Sequence, residues 1–210
     1  MDEITARKEI VKIGERLYMH GYALANGGNI SIRLSSREVL ITPTGECLGD
    51  LVADELPKVN MSGKVLSGDR RPSAELRSHL NIYHERPDVN GIIHAHPPYA
   101  TGLAIAGEKF ERFAHPETYC VVGRIAVLPY ATPEGNPELV TEPIRRHDVL
   151  VMTNHGVLTV GTTLKQAHFK MESLEMLSHA MTVAKIHGAI NYLTDADLKL
   201  LDDFKKKHFG

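Results

Sequence analysis

The chain has 210 residues, of which 42% are hydrophobic and 24% are charged, and its formal net charge is −2. This composition is that of an ordinary globular protein and excludes a wholly disordered chain, while the balanced charge gives no electrostatic reason to expect nucleic-acid binding. The apolar runs fall short of the roughly 18 residues of a membrane span, and the N-terminus is too charged for a signal peptide. Because there are only two cysteines, Cys47 and Cys120, we expect no disulfide framework and a cytoplasmic location.

The hydrophobic pattern predicts helices towards both ends of the chain and strands in its middle. No repeat or linker-like change in composition occurs, so we expect one domain over residues 1–210. Helices are predicted over residues 3–20, 72–85, 97–105, 136–146, 163–187 and after Thr194. Strands are predicted over residues 30–34, 38–42, 58–61, 91–96, 119–128, 149–153 and 157–160. Because neighbouring strands are joined by short turns, this order favours an α/β sandwich with a largely antiparallel sheet over a βαβ repeat.

Two of the 12 histidines share one face of a predicted strand. Alternation along residues 92–96 places His94 and His96 on the same side, about 6.6 Å apart along the strand. Two imidazoles at this spacing can bind one metal ion, although ordinary hydrogen-bonded histidines also explain the pair. A third histidine, His155, follows the predicted strand over residues 149–153 at a tight turn, where Gly156 leaves room for a close approach.

Three histidines at strand ends and one carboxylate form the ligand set of an open, catalytic zinc site. The carboxylate that we favour is Glu75, which we place in the first turn of a helix that begins at Ser73. The alternative for Glu75 is an acidic residue that stabilises the helix dipole. Histidines inside predicted helices, including His79, are expected to be hydrogen-bonded or solvent-facing, and the role of His115 is left open.

Three short turns carry small or hydroxylated residues that suit an anion, namely Gly28-Asn29, Thr44-Gly45 and Ser73-Ala74. Ser73 also opens a predicted helix, whose free N–H groups and dipole favour a phosphate. None of the turns matches a Walker loop or a dinucleotide-binding pattern, and turn and capping chemistry explains each one separately. If Ser73 caps the helix, an anion bound there lies one turn from Glu75 and near the predicted metal.

Six blocks of residues occur in a specific order and spacing: GGNISIR at 27–33, ITPTG at 41–45, PSAE at 72–75, HAH at 94–96, PYATPE at 129–134 and TNHG at 153–156. With these blocks the chain resembles the class II (zinc-dependent) aldolases related to L-fuculose-1-phosphate aldolase, a family that also includes L-ribulose-5-phosphate 4-epimerase and adducin head domains. The resemblance implies a three-layer α/β sandwich, in which helices flank a central, largely antiparallel sheet. It also implies a fourfold-symmetric homotetramer with sites at subunit interfaces.

The resemblance further implies a site and a reaction. It implies zinc ligands at His94, His96 and His155, with Glu75 as a catalytic acid/base that also approaches the zinc when no substrate is present. The phosphate-binding positions that it implies are Gly28, Asn29, Thr44, Gly45, Ser73 and Ala74. One Zn²⁺ per subunit is expected, and the ligand types also admit Mn²⁺ or Co²⁺. The implied reaction is the reversible cleavage of a ketose 1-phosphate to dihydroxyacetone phosphate and a small aldehyde, through a zinc-stabilised enediolate.

The chain departs from the fuculose enzyme at one phosphate-binding position and at two places on the aldehyde side or in the C-terminal tail. Ala74 replaces a serine, His115 takes the place of a tyrosine, and the C-terminal residues lack the tyrosine of the family's mobile tail. The aldehyde therefore stays open, as does its acid, which is His115 or a tyrosine of another subunit. A methylthioribulose-1-phosphate dehydratase and a sugar-acid phosphate decarboxylase of the same fold are alternatives. Glu75 argues against the epimerase, which carries an aspartate there, and the three histidines argue against an adducin-like interaction module.

Overall fold

The computed structural model describes residues 1–130 and 137–209, and in the last helix it describes side chains as far as residue 207. Within these ranges eight strands form one sheet: β1 (Asn29–Arg33), β2 (Glu38–Ile41), β3 (Lys58–Asn60), β4 (Val65–Ser67), β5 (Gly91–Ala95), β6 (Ile125–Leu128), β7 (Val149–Met152) and β8 (Gly156–Gly161). Their order across the sheet is β4-β3-β2-β1-β5-β8-β7-β6. Neighbours are antiparallel apart from β6 and β7, which are parallel.

Helices cover both faces of this sheet. They are α1 (Glu3–Met19), α2 (Leu76–Glu85), α3 (Pro98–Ile105), α4 (Pro116–Val122), α5 (Thr141–Ile144), α6 (Leu164–His187) and α7 (Asp195–Phe209). Successive strand residues point to opposite faces, so β5 sends Ile93 towards α1, α3, α4 and α6, and Ile92 towards α2 and α5. The predicted three-layer α/β sandwich with a largely antiparallel central sheet is therefore confirmed. None of the described helices combines the length and the apolar character needed to cross a bilayer.

The predicted strand over residues 119–128 is wrong in its first half. Residues up to Val122 belong to α4, which begins with Pro116 after His115, and Gly123 ends the helix with a φ of 69°. The aromatic and β-branched residues of this segment favour a strand locally, but Tyr119 and Val122 bury their side chains from one face of a helix. Only β6 remains of the predicted strand.

Three other elements differ from the sequence prediction. The helix predicted from residue 72 begins at Leu76. The helix predicted over residues 136–146 is a 3-10 turn, Pro137–Val140, followed by the single turn of α5, and residues 131–136 lie outside the described ranges. Strand β4 was missed because its three residues are all exposed, so no burial pattern marks it in the sequence.

Helix α3 starts just after β5 and the candidate site histidine His96 that follows it, and a buried acid fixes this junction. The Glu175 carboxylate of α6 accepts hydrogen bonds from the backbone N–H groups of Tyr99, at 2.9 Å, and Ala100, at 2.8 Å. These donors belong to the first turn of a helix, where they have no partner within the helix. The contact therefore holds the end of β5 against α6.

Candidate metal centre

The three predicted metal-binding histidines meet at one end of the central strands. His94 lies in β5, His96 directly follows it, and His155 lies in the turn between β7 and β8. Because β5 pairs with β8, the His155 turn is brought beside the end of β5. The ring centroids of His94 and His155 are 4.7 Å apart, and those of His94 and His96 are 4.9 Å apart. One nitrogen from each of the three rings lies within 4.8 Å of the others, which is close enough for a shared metal ion.

The hydrogen bonding of these rings fits a metal. His94 Nδ1 lies 3.0 Å from the backbone oxygen of Val157. Since a carbonyl only accepts, Nδ1 donates and carries the proton, which leaves the lone pair of Nε2 free. Among the described residues, His94 Nε2 and His155 Nδ1 are buried without a hydrogen-bond partner. A ligand nitrogen whose opposite ring nitrogen is held by a carbonyl is the usual arrangement of a metal-binding histidine.

The protonation states point the same way. Burial lowers the pKa of His94, His96 and His155 to about 4 each, and for His155 the neighbouring His94 adds to the effect. The rings are therefore neutral near pH 7 and offer lone pairs rather than charge. A metal ion, which binds only neutral imidazole, fits this pocket.

Glu75 lies beside the histidines, but not where the sequence placed it. Its carboxylate Oε1 is 3.5 Å from His94 Nε2. It occupies the N-cap position of α2 rather than the first turn of a helix that starts at Ser73. The Ser73 hydroxyl accepts the N–H of Glu75 at 3.2 Å, so it closes a turn ahead of the helix instead of capping it. Burial raises the pKa of the Glu75 carboxyl, whereas His155 and a hydrogen bond from the Asn29 side chain lower it.

The three predicted anion-binding turns line one cavity with Glu75, His96 and His155, whereas His94 is buried beside it. Pro43 forms an isolated bridge with Pro72, which brings the second turn against the third, and Asn29 pairs with His94 across β1 and β5. The cavity has a volume of about 370 Å³. It is lined by the residues Asn26, Gly27, Gly28, Asn29, Pro43, Thr44, Gly45, Ser73, Ala74, Glu75, His96 and His155. All six predicted phosphate-binding positions are among them.

Gly28 shows why the first turn needs a glycine. Its φ is 80°, a conformation that side chains other than glycine's rarely adopt. A Cβ at this position would lie 2.8 Å from the backbone oxygen of His94. The turn can therefore approach β5 closely, which places the backbone donors of the anion site next to the histidines.

His115 does not line this cavity. It is the N-cap of α4, where its Nδ1 accepts the N–H of Thr118 at a long 3.4 Å. No tyrosine is among the described residues that line the cavity. Among the described residues, neither His115 nor a tyrosine of this chain therefore lies in the cavity lining.

One functional candidate was missed because the sequence shows each element separately. His79, which we read as an ordinary helical histidine, is fully buried and hydrogen-bonded to Asn29 at the floor of the cavity. The signal for it was present, since Glu75, His79 and Tyr83 follow one another at intervals of four, the spacing of a single helix face.

Comparison with known proteins decides the family. The family described as "Class II Aldolase and Adducin N-terminal domain" matches residues 8–182. The chain belongs to this family. The resemblance inferred from the sequence blocks is thereby confirmed.

Members of the class II aldolase and adducin family with two different activities are similar to this chain. A 3-oxo-tetronate 4-phosphate decarboxylase of Pectobacterium atrosepticum is 36% identical over 203 residues, which cover 93% of this chain and 92% of the relative. An L-fuculose phosphate aldolase of Methanococcus vannielii is 36% identical over 173 residues, covering 81% of this chain and 92% of the relative. Among solved structures, YgbL of Klebsiella pneumoniae, described as a putative aldolase/epimerase/decarboxylase, has a TM-score of 0.89 at 32% identity, covering 96% and 99% of the two chains.

Proposed function

We propose that this protein is a metal-dependent carbon–carbon lyase that reversibly cleaves a ketose 1-phosphate to dihydroxyacetone phosphate and a small aldehyde. One observation carries the proposal: the anion turns and Glu75 line one cavity together with His96 and His155, two histidines of the cluster. An anion in the turns holds the phosphate end of a substrate, and the carbons next to it then reach the histidines. Fixing both ends of a short substrate in this way supplies the orientation that the reaction needs.

The phosphate end is held by backbone and side-chain donors. Gly28, Gly45 and Ala74 contribute no polar side chain, so they can offer only backbone N–H groups, while Asn29, Thr44 and Ser73 add an amide and two hydroxyls. Ala74 replaces a serine of the fuculose enzyme, which removes one hydroxyl from the set but leaves its N–H. No lysine or arginine is among the described residues that line the cavity, so neutral donors must hold the phosphate.

Glu75 moves the proton at the substrate carbon next to the carbonyl. Burial raises the pKa of its carboxyl, which makes it a stronger base than an exposed glutamate and an acid closer to neutral pH. Its N-cap position on α2 and the bond from Ser73 to its N–H fix the backbone from which it reaches into the cavity. We retain Glu75 also as a candidate fourth metal ligand in the absence of substrate.

His94, His96 and His155 are the residues that would hold the metal, which we propose to be Zn²⁺, with Mn²⁺ or Co²⁺ as substitutes. The bound ion would supply Lewis-acid chemistry towards the substrate carbonyl, worth several kcal/mol. The Val157 carbonyl holds the His94 ring in the tautomer that leaves Nε2 free for this purpose.

Decarboxylation of 3-oxo-tetronate 4-phosphate is the second candidate, because a decarboxylase of this name aligns with 93% of the chain. Loss of CO₂ from that substrate also yields dihydroxyacetone phosphate, so both reactions leave the same three-carbon unit in the site. The difference lies in the departing group. An aldehyde leaves only when its hydroxyl gives up a proton, whereas CO₂ leaves without one, and no tyrosine lies among the described residues of the cavity to take that proton.

A shared product allows one experiment to test both reactions. Zinc-loaded protein is incubated with a panel of ketose 1-phosphates and with 3-oxo-tetronate 4-phosphate, and release of dihydroxyacetone phosphate is measured with and without a chelator. Release from a ketose supports the aldolase, and release only from the acid, with CO₂, supports the decarboxylase. No chelator-sensitive release from either substrate would refute the proposal.

A substitution at Glu75 tests its role in the same assay. We expect Glu75→Gln to retain zinc but to lose proton exchange at the carbon of bound dihydroxyacetone phosphate, and turnover should fall at least 100-fold, the lower range of general-base effects of about 10²–10⁴. Glu85→Gln, at the other end of α2 and away from the cavity, is the control that should keep full activity. Full activity in Glu75→Gln would contradict the assignment.

We further propose that the protein acts as a single-domain protein in the cytoplasm, and as the homotetramer that the resemblance implies. Free Cys47 and Cys120 are compatible with a reducing compartment. Light scattering of the zinc-loaded protein measures the number of subunits, and a monomer would contradict this part of the proposal.

A further inference from the structure

A chain of buried polar side chains runs from the floor of the cavity into the layer between the sheet and α2. The Tyr83 hydroxyl lies 2.8 Å from Ser31 Oγ, and Ser31 Oγ lies 2.7 Å from His79 Nδ1. His79 Nε2 lies 2.6 Å from Asn29 Oδ1. The Asn29 amide, whose Oδ1 is held by His79, lies near the Glu75 carboxylate and lowers its pKa. The network therefore links the predicted acid/base to a tyrosine two helical turns away.

These side chains occupy positions where apolar residues would ordinarily stand. Ser31 and His79 are completely buried, and Asn29 is 4% exposed. On either side of them, Ile30 and Ile32 of β1 and Leu80 of α2 contribute to the apolar cores. Buried polar groups destabilise a core unless each one is hydrogen-bonded, so a complete polar chain at this place needs a reason beyond stability.

The direction of every hydrogen bond in this network follows from its Glu75 end. An ionised Glu75 carboxylate only accepts, so the Asn29 amide faces it with Nδ2 and faces His79 with Oδ1. His79 Nε2 must then donate, which leaves Nδ1 as an acceptor for the Ser31 hydroxyl. Ser31 Oγ accepts in turn from the Tyr83 hydroxyl. The pKa of His79, which burial lowers to about 3, keeps the ring neutral and so compatible with one donor and one acceptor.

We propose that His79 is a positioning residue. It holds the Asn29 side-chain amide in the orientation that points Nδ2 towards Glu75 and the anion-binding turns. An amide free to rotate by 180° would present its oxygen to the phosphate and to the carboxylate, and both contacts are repulsive. Ser31 and Tyr83 support this arrangement one step further away, because the Ser31 hydroxyl, which accepts from Tyr83, donates to Nδ1 and so favours a proton on Nε2. What the amide contacts in a bound substrate rests on the proposed function, whereas the direction of the hydrogen bonds does not.

The direction can be measured in the unaltered, zinc-loaded protein by ¹⁵N NMR of labelled histidine. The His79 signals are identified as those lost in the His79→Gln variant. We expect Nε2 to be protonated and Nδ1 unprotonated, with a slowly exchanging Nε2 proton because the site is buried. A proton on Nδ1, or a charged ring at neutral pH, would overturn the proposal even if the protein cleaves no sugar phosphate.

Two substitutions at His79 separate positioning from folding. The amide nitrogen of a glutamine side chain can reach the place of Nε2, whereas the shorter asparagine reaches only the place of Nδ1. We therefore expect His79→Gln to bind dihydroxyacetone phosphate within about threefold of the parent, and His79→Asn to bind it about tenfold more weakly, the size of one lost hydrogen bond. Calorimetric titration of the zinc-loaded proteins measures both, and zinc content should be equal in all three.

The outcomes are distinct. Equal losses of affinity in the two variants would mean that His79 only fills space. Unchanged binding in both would mean that the Asn29 amide does not need His79 to hold its orientation. Each result refutes the proposal.

If His79→Asn fails to fold, Ser31→Ala provides a second variant, because it removes the hydroxyl donor to Nδ1 but keeps Nε2 opposite Asn29. We expect a mixture of His79 tautomers in its NMR spectrum, and an unchanged single Nε2–H tautomer would contradict the role given to Ser31. If the parent itself does not bind dihydroxyacetone phosphate, the proposed function fails, while the NMR measurement still decides on His79.

Discussion

Burial holds the histidines around the cavity in their neutral form, and this has a consequence at the level of single residues. The pKa of His94 is lowered to about 4 and that of His79 to about 3, against about 6.5 in an unfolded chain. Between pH 6.5 and 4 these histidines therefore bind protons in the unfolded chain but remain unprotonated in the folded protein. Acid stabilises the state that binds more protons, which here is the unfolded chain. The free energy of unfolding therefore decreases as the pH falls through this window.

We predict that the metal-free protein becomes less stable below pH 6.5, by up to about 1.4 kcal/mol per pH unit for each fully buried histidine. Urea unfolding at pH 7.5, 6 and 5 measures this dependence. His94→Gln should show a shallower dependence than the parent, whereas His187→Gln, which alters an exposed histidine at the end of α6, should not. Parallel pH curves for His94→Gln and the parent would contradict the prediction.

At the scale of elements, the turn between β7 and β8 is shaped by a close approach to β5. A Cβ on Gly156 would lie 2.6 Å from both the Ala95 backbone oxygen and His96 Cδ2. Real Cβ atoms do not come this near to backbone, so the turn would have to move away from β5. His155 precedes Gly156 and would move with it.

We therefore predict that Gly156→Ala weakens zinc binding by at least tenfold, an effect within the range of about 10–100-fold seen when the support of a metal ligand is lost. The measurement is a competition titration with a chromophoric chelator. Gly102→Ala is a matched control, because a Cβ there meets nothing within 4 Å. Unchanged zinc affinity in Gly156→Ala would show that the turn adapts without moving His155.

The element scale also shows what the sequence could and could not predict. Alternation along one strand was enough to place His94 and His96 on one face, because that relation is local. Glu75 does lie beside the histidines, but its place in α2 was predicted wrongly, because the Ser73 hydroxyl bonds within a turn that pairs with Thr42. The strand predicted from Tyr119 failed because packing against α6 outweighs local propensity. The hydrogen-bond partners of His79 lie on β1, and the sequence of the helix alone does not predict them.

At the scale of the whole molecule, the candidate metal centre joins separate parts of the sheet. β5 supplies His94, and the β7–β8 turn supplies His155. A metal ion bound to both therefore stabilises the folded state, which has the complete site, over the unfolded chain, which does not.

We predict that zinc at a thousandfold excess over its dissociation constant stabilises the protein by about 4 kcal/mol, which corresponds to roughly 10 °C in melting temperature for a chain of this size. Thermal unfolding with and without a chelator measures the shift. His155→Ala should melt at the same temperature under both conditions, and His187→Ala should retain the full shift. A shift of the parent's size in His155→Ala would place the metal elsewhere.

The separation of the ligands along the chain also matters while the protein is being made. His94 and His96 are added when less than half of the chain has been synthesised, whereas His155 is added when roughly three quarters of it exist. Val157, which orients His94, follows later still. A nascent chain thus lacks the third histidine of the candidate site, which is completed only when β7 and β8 have joined the sheet. If the protein binds a metal ion through these three histidines, the complete site forms only after the strands around it have assembled, so metal binding follows folding rather than starting it.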